Sequence, residues 1–175
     1  VEDSAVAPEK LGAYVRRFRA LLDELGLTAS FYGHASVGLL HVRPLLNLHE
    51  PHDRRAFVQL SSAVCDLVLE FGGALSGEHG DGLLRSAFNE RLFGPELYRA
   101  FQRTKALFDP EGLLNPGKIT AAPPITADHR PPPRHTIATA YRFHEAGGFA
   151  AMAEACNGNA LCRKLDGGTM CPSFM

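Results

Sequence analysis

The sequence carries almost no net charge, no long apolar run and no glycine-rich phosphate loop, and each absence removes a class of function. Eighteen lysines and arginines balance nineteen aspartates and glutamates, giving a formal charge of -1. That balance argues against a polyanion-binding surface and against a polybasic membrane anchor. No apolar stretch approaches the ~20 residues that span a bilayer. No charged-then-apolar leader follows Val1, so no signal peptide is visible. The expected location is therefore the cytoplasm, with attachment to the inner face of the membrane as the variant. No glycine-rich loop opens a helix after a strand, so the usual cradle for a nucleotide phosphate is missing. The absent initial Met and the ending "GTMCPSFM" predict a piece of a longer protein.

What is present is ordinary globular composition, 45% hydrophobic and 21% charged, enough for one core and a small second module. Cysteine is scarce and unevenly placed. Cys65 stands alone in "SSAVCDLVLEFGG" and reads as a small buried hydrophobe. Cys156, Cys162 and Cys171 crowd the last twenty residues, and without a secretion signal that clustering reads as metal ligation before disulfides.

In "PEKLGAYVRRFRALLDELG" the residues Leu11, Tyr14, Val15, Phe18, Leu21, Leu22 and Leu25 recur at spacings of three and four. They predict an amphipathic helix from about Pro8 to Gly26. "TASFYGHASVGLLHVRPLL" switches to short aromatic and aliphatic runs around Gly33 and Gly38, predicting strand, loop and strand. A second helix is predicted through "HDRRAFVQLSSAVCDLVLEFGG", with Phe57, Leu60, Val64, Leu67, Val68 and Phe71 as its stripe, Asp53 as a candidate N-cap and Gly72-Gly73 as its stop. A third, "GPELYRAFQRTKALFDP", ends at Pro110, and Asn115-Pro116-Gly117 forms a turn. The pattern is α+β, helices packed on a small sheet. From Thr120 five prolines in "TAAPPITADHRPPPRHT" predict an extended linker.

The stretch "SGEHGDG" sets Glu78 beside His79 among glycines. His34 and His41 are seven residues apart, and a turn near Ala35–Gly38 would let both imidazoles converge although an odd spacing on one strand would part them. Two imidazoles and the Glu78 carboxylate suit Zn²⁺, Mn²⁺ or a similar ion with positions left open for substrate. His79 would then sit where a general base acts. Eight histidines in 175 residues also produce close pairs by chance. His49 and His52 read as surface residues, and His129, His135 and His144 as solvated positions in or near the linker.

Three blocks, "FYGHASVGLLHVRPLL", "GGALSGEHGDGLLR" and "LFDPEGLLNPGKI", together resemble the C-terminal domain of FAD-linked oxidases of the vanillyl-alcohol oxidase type. That family includes D-lactate dehydrogenases, glycolate oxidase subunits and D-2-hydroxyglutarate dehydrogenases. The resemblance implies a small antiparallel sheet packed with helices over residues 1–119, incomplete at its start, then a linker over 120–135. It implies a metal on His34, His41 and Glu78. His79 would be the base that takes the 2-hydroxyl proton while hydride passes from C2 to flavin N5. Asn115 and Lys118 match the segment that runs close to the flavin.

The family's first block usually reads G-H-x-G-D-G-N-x-H. Here "ASVGLL" separates the histidines, so only Gly38 remains of the turn and its acidic residue is lost. Where many members carry an Asn two residues after the second His, this chain has Arg43, a candidate bidentate clamp on a substrate carboxylate. The tail, Cys156-x5-Cys162-x8-Cys171-Pro172, resembles the first cysteine block of the ferredoxin-type module fused behind such flavin domains. Residues 136–175 would be its truncated start, with the remaining ligand of a 4Fe-4S cluster further along the polypeptide. The implied whole is an FAD-dependent D-2-hydroxy acid dehydrogenase. This piece is expected neither to bind FAD tightly nor to turn over alone. Two rivals stay open on the residues: a metal-binding structural domain without activity, and a metal-dependent hydrolase using His79 as base.

Overall fold

The helix expected from Pro8 begins as one 3-10 turn, Pro8–Lys10, and continues as α1, Leu11–Glu24. Its buried residues are Tyr14, Phe18 and Leu22, four apart, so one side of the helix faces the core and the flanking apolar residues only partly join it. α2, Pro51–Phe71, answers with Leu60, Val64, Cys65, Leu67 and Val68. It stops at Gly72, whose φ of 67° is left-handed. There the N–H groups of Gly72 and Gly73 bond the carbonyls of Leu69 and Val68, a Schellman closure. Asp53 is not the N-cap. Glu50 occupies that position, and the Asp53 carboxylate reaches back to accept the N–H of Asn47 at 2.6 Å.

A computed structural model describes residues 1–126, 138–141, 143–144 and 147–156. The chain divides into two units, Val1–Arg130 and Pro131–Met175. The first holds a three-stranded antiparallel sheet in the order β1-β3-β2. β2 is Ala29–His34 and β3 is Leu39–Pro44, as the sequence predicts, but the short strand β1, Ser4–Ala5, has no counterpart in that reading. Two residues are too few for an alternating pattern to be visible. One sheet face meets the helices: Leu40 and Val42 of β3 join Tyr14, Phe18, Leu60 and Val64 in a single cluster. Each fully buried side chain of this size contributes roughly 1.5–3 kcal/mol. The architecture is α+β, helices on one face of a small antiparallel sheet.

α3, Asn89–Phe108, starts five residues earlier than its pattern suggests and is broken at Gly94, with φ 78° and ψ 163°, before restarting at Pro95. A 3-10 turn, Arg85–Phe88, leads into it. The side chains of Arg91 and Asp66 pair, tying α3 to α2. Thr120 is buried and the Ala121 N–H bonds the Tyr98 hydroxyl at 3.1 Å, so the first residues of the proline-rich stretch pack on the first unit. In the second unit the described residues include one short helix, α4, Phe149–Glu154, followed by the exposed Cys156. Cys162 and Cys171 lie outside the described residues, as do His129 and His135. Among the described residues no helix is long and apolar enough to cross a membrane.

Candidate functional site

Register solves the odd spacing of the two histidines. Tyr32 pairs with His41 and His34 with Leu39, so His34 and His41 are diagonal neighbours on the sheet face turned away from the helices. Their rings are 5.6 Å apart, edge to face. The link between them is a 3-10 turn, Ala35–Val37, closed by Gly38 at φ 71°. A side chain at 38 would place its Cβ 1.8 Å from the Val6 carbonyl oxygen, so glycine is required twice over, by conformation and by space. His41 is buried between two flat neighbours. Tyr32 stacks on one side at 5.4 Å and His79 on the other at 4.9 Å.

The third and fourth members arrive from the loop after α2. Oε1 of Glu78 lies 3.0 Å from His41 Nε2, 3.3 Å from His79 Nε2 and 3.6 Å from His34 Nε2. Three imidazole nitrogens are therefore aimed at one carboxylate oxygen, while His34, Glu78 and His79 remain close to half exposed. Gly77 lets the loop come this near, since a Cβ there would meet Leu39 Cδ1 at 1.9 Å.

Beneath the loop is a residue that sequence reasoning missed. Asp3 is fully buried and accepts the N–H groups of Gly77 (3.1 Å), Glu78 (3.1 Å) and His79 (2.9 Å), together with the Ser76 hydroxyl (2.7 Å). Burial alone would push its carboxyl up. The N–H of His79, the Ser76 hydroxyl and the N–H of Glu78 outweigh that and hold it below the usual carboxylate range. Nothing local in the sequence marks it, because all its side-chain partners lie more than seventy residues away.

Asp3, His41, Glu78 and His79 each offer a ligand atom within 4.8 Å of the others, a set that takes in Asp3 and His79 and leaves out His34. Asp3 is the poor candidate among them, since both its oxygens are occupied by loop donors. The half-exposed nitrogens of His34 and His79, the buried Nε2 of His41 and the Glu78 carboxylate are a borderline N/O donor set suited to zinc or manganese. His41 Nδ1 is buried without a hydrogen-bond partner, the nearest carboxylate oxygen being Glu2 Oε1 at 3.7 Å. The 3.0 Å contact with Glu78 Oε1 places the proton on Nε2, so holding an ion there would need the proton on Nδ1, which faces Glu2.

Arg43 stands on the same sheet face as His41, two residues along β3. Its Nε bonds Glu2 Oε1 at 3.0 Å and its side chain is largely exposed. It lines a cavity of about 690 Å³ with Glu2, Phe57, Ser61, Asp81 and Phe88. The imidazoles are not in that lining, so the cavity neighbours the histidine cluster without containing it.

Asn115 and Lys118 lie on the turn after α3. Asp109 organises this turn by accepting the N–H groups of Leu113 and Leu114 at 2.8 and 2.9 Å, beside the ammonium of Lys105. Both residues line a second cavity of about 380 Å³, with Phe101 and Thr104, away from the imidazoles. A buried amide connects this turn to the Glu78 loop. Asn89 Nδ2 donates to Asp81 Oδ2 at 3.0 Å and to the Ile119 carbonyl at 3.1 Å, while Ser86 Oγ accepts the Ile119 N–H at 2.8 Å.

Residues 1–119 match the family model described as FAD linked oxidases, C-terminal domain. Over 99% of its length the chain is 41% identical to a D-2-hydroxyglutarate dehydrogenase of Pantoea ananatis, and equally so to one of Escherichia coli; it spans 17% of each. A D-lactate dehydrogenase of Archaeoglobus fulgidus is 38% identical over 68% of the chain, which spans 26% of that protein. The chain thus covers about a sixth of the curated 2-hydroxyglutarate relatives it matches. On this match the chain belongs to the FAD-linked oxidases and carries their C-terminal domain.

Proposed function

We propose that this chain is the hydroxy acid-binding part of a larger flavoprotein that oxidises a D-2-hydroxy acid to the 2-oxo acid. The observation that carries the reading is the convergence of three imidazole nitrogens on one Glu78 oxygen, on a half-open face. His34, His41 and Glu78 would hold a divalent ion, which when bound supplies a Lewis acid for the substrate's carboxylate and hydroxyl oxygens. His79, stacked on His41 and pointing at the same oxygen, takes the hydroxyl proton on Nε2. Arg43 offers a fork of donors for a substrate carboxylate once it exchanges Glu2 for it. FAD, when bound by parts of the flavoprotein outside these residues, accepts the hydride. Asn115 and Lys118 belong to the segment that would face it.

The substrate favoured is 2-hydroxyglutarate. The 2-hydroxyglutarate relatives match nearly the whole chain, including the stretch beyond residue 119, whereas the lactate relative matches about two thirds. In this reading residues 120–135 link the domain to the start of an iron–sulfur module, where Cys156, Cys162 and Cys171 supply thiolates to a 4Fe-4S cluster that carries the electrons onward. A cytoplasmic site of action goes with reduced cysteines.

The test is metal content by mass spectrometry for the chain and for His34→Ala and Glu78→Ala. Near-stoichiometric zinc or manganese, lost in both variants with circular dichroism unchanged, is the expected result. Metal retained in both would overturn this ligand set. Addition of D-2-hydroxyglutarate to the intact flavoprotein should bleach its flavin, and hydrolysis of an ester without flavin would favour a hydrolase instead.

A further inference from the structure

We infer that Asp3 is a positioning residue for the reaction: its buried carboxylate sets the direction in which Glu78 and His79 project. The inference rests on the function proposed above and extends it to a residue outside the donor set.

Three consecutive backbone N–H groups, those of Gly77, Glu78 and His79, converge on this one carboxylate, and the Ser76 hydroxyl completes its shell. Fixing three successive amides fixes the peptide planes between them. The Cα–Cβ vectors of Glu78 and His79 follow from those planes. The main chain of Asp3 works in the same sense. Its N–H bonds the Leu40 carbonyl, next to His41, at 3.1 Å, and its carbonyl accepts the Gly77 N–H at 2.9 Å. One residue therefore clamps the strand that carries His41 to the loop that carries Glu78 and His79. It does so at φ 84°, a backbone conformation that non-glycine residues rarely adopt and that persists only where surroundings over-determine it. Arg85 braces the same corner, donating to the Glu2 carbonyl at 2.9 Å and the Gly80 carbonyl at 2.5 Å.

Asparagine replaces this carboxylate only in part. With its oxygen in the Oδ2 place it keeps Ser76, Gly77 and His79, but its NH₂ then turns a donor toward the Glu78 N–H that Oδ1 accepts at 3.1 Å. Asp3→Asn should therefore loosen the loop without removing any group that touches substrate. A displacement near 1 Å costs on the order of 100-fold in rate.

The experiment uses the intact flavoprotein. Asp3→Asn is compared with wild type and with Val64→Ala, a core variant chosen to lower thermal stability without touching the loop. Three quantities are read: amide exchange of residues 76–80, the rate of flavin reduction by D-2-hydroxyglutarate, and the melting temperature. For Asp3→Asn we expect loop exchange to rise about tenfold while α2 stays protected. Flavin reduction should slow about 100-fold with KM changed far less. Val64→Ala should melt lower yet reduce its flavin within about threefold of wild type. Unchanged loop exchange in Asp3→Asn overturns the inference, as does equal slowing in Val64→Ala at a matched loss of stability. If wild-type flavin is not reduced by hydroxy acids, the proposed function falls, and loop exchange alone decides the role of Asp3. If Asp3→Asn does not fold, Ser76→Ala removes one donor from the same carboxylate and should raise loop exchange about threefold; no rise overturns the inference.

Discussion

Replacing Gly38 by alanine should cost far more than the loss of one glycine in a four-residue turn suggests, because the position is buried. Three contributions follow from the geometry. A left-handed backbone bearing a Cβ costs roughly 1 kcal/mol. The new methyl would sit 1.8 Å from the Val6 carbonyl oxygen, so backbone must move, an overpacking cost of about 1–3 kcal/mol. That movement strains the bond from the Val6 N–H to the Gly38 carbonyl, now 3.0 Å, worth about 1 kcal/mol. The sum is about 3–5 kcal/mol, a large share of the roughly 5–15 kcal/mol that a domain has. Urea unfolding followed by far-ultraviolet circular dichroism reads it directly. With a slope of about 2 kcal/mol per molar, the midpoint should fall by about 2 M. Gly26→Ala is the matched control. Gly26 also has a positive φ, 65°, but its Cβ would meet nothing within 4 Å, so only the conformational cost of roughly 1 kcal/mol remains. If the two variants lose the same stability, the clash with Val6 has no energetic weight and the reasoning about this turn is refuted.

Two further predictions bear on the turn after α3 and its anchor. The bond from Lys105 is the largest influence on Asp109, and with the N–H groups of Leu114 and Leu113 it overcomes burial and holds the carboxyl below 3.8. The stabilisation this gives the turn is full above pH 3.8 and is lost at more acid pH, as pH falls through the lower folded value, so amides 112–114 should exchange faster in that acid range in the wild type; an Asp109→Asn protein that shows the same acid step would refute this. Asn89→Asp would place a buried carboxylate 3.0 Å from that of half-buried Asp81 and against the Ile119 carbonyl. It should lower stability by about 3 kcal/mol at pH 7, with part of the loss recovered at pH 5 as the pair takes up a proton; a melting curve that matches wild type at both pH values would contradict it.

Much of the fold was legible because helices advertise themselves. Tyr14, Phe18 and Leu22, and Leu60, Val64 and Val68, recur every fourth residue, and Gly26 and Gly72 end their helices in left-handed conformations. Other features had no local signature. β1 is two residues long, and Asn89 precedes a glycine break that hides the first turn of α3. The site divides the same way. Glu78 and His79 stand out because glycines flank a paired acid and imidazole. Asp3, Asn89 and Ser86 do their work through partners distant in sequence, and a lone acid, amide or hydroxyl in a row of ordinary residues gives no pattern to read.

The turn between the two histidines shows why a departure from a family motif need not change a site. The usual Gly-Asp-Gly interval here retains a single glycine, at 38. His34 pairs with Leu39, so the connection is Ala35–Gly38, four residues. Ala35–Val37 take a 3-10 conformation open to any small or medium residue. Only the last position has a positive φ and only there does backbone approach within 2 Å of a would-be Cβ. The glycine that survives is the one the geometry requires. Hairpin register, which brings His34 and His41 to one face, depends on the length of the interval and on that residue. It does not depend on the acidic side chain that is missing, so the loss of that acid leaves the convergence on Glu78 intact.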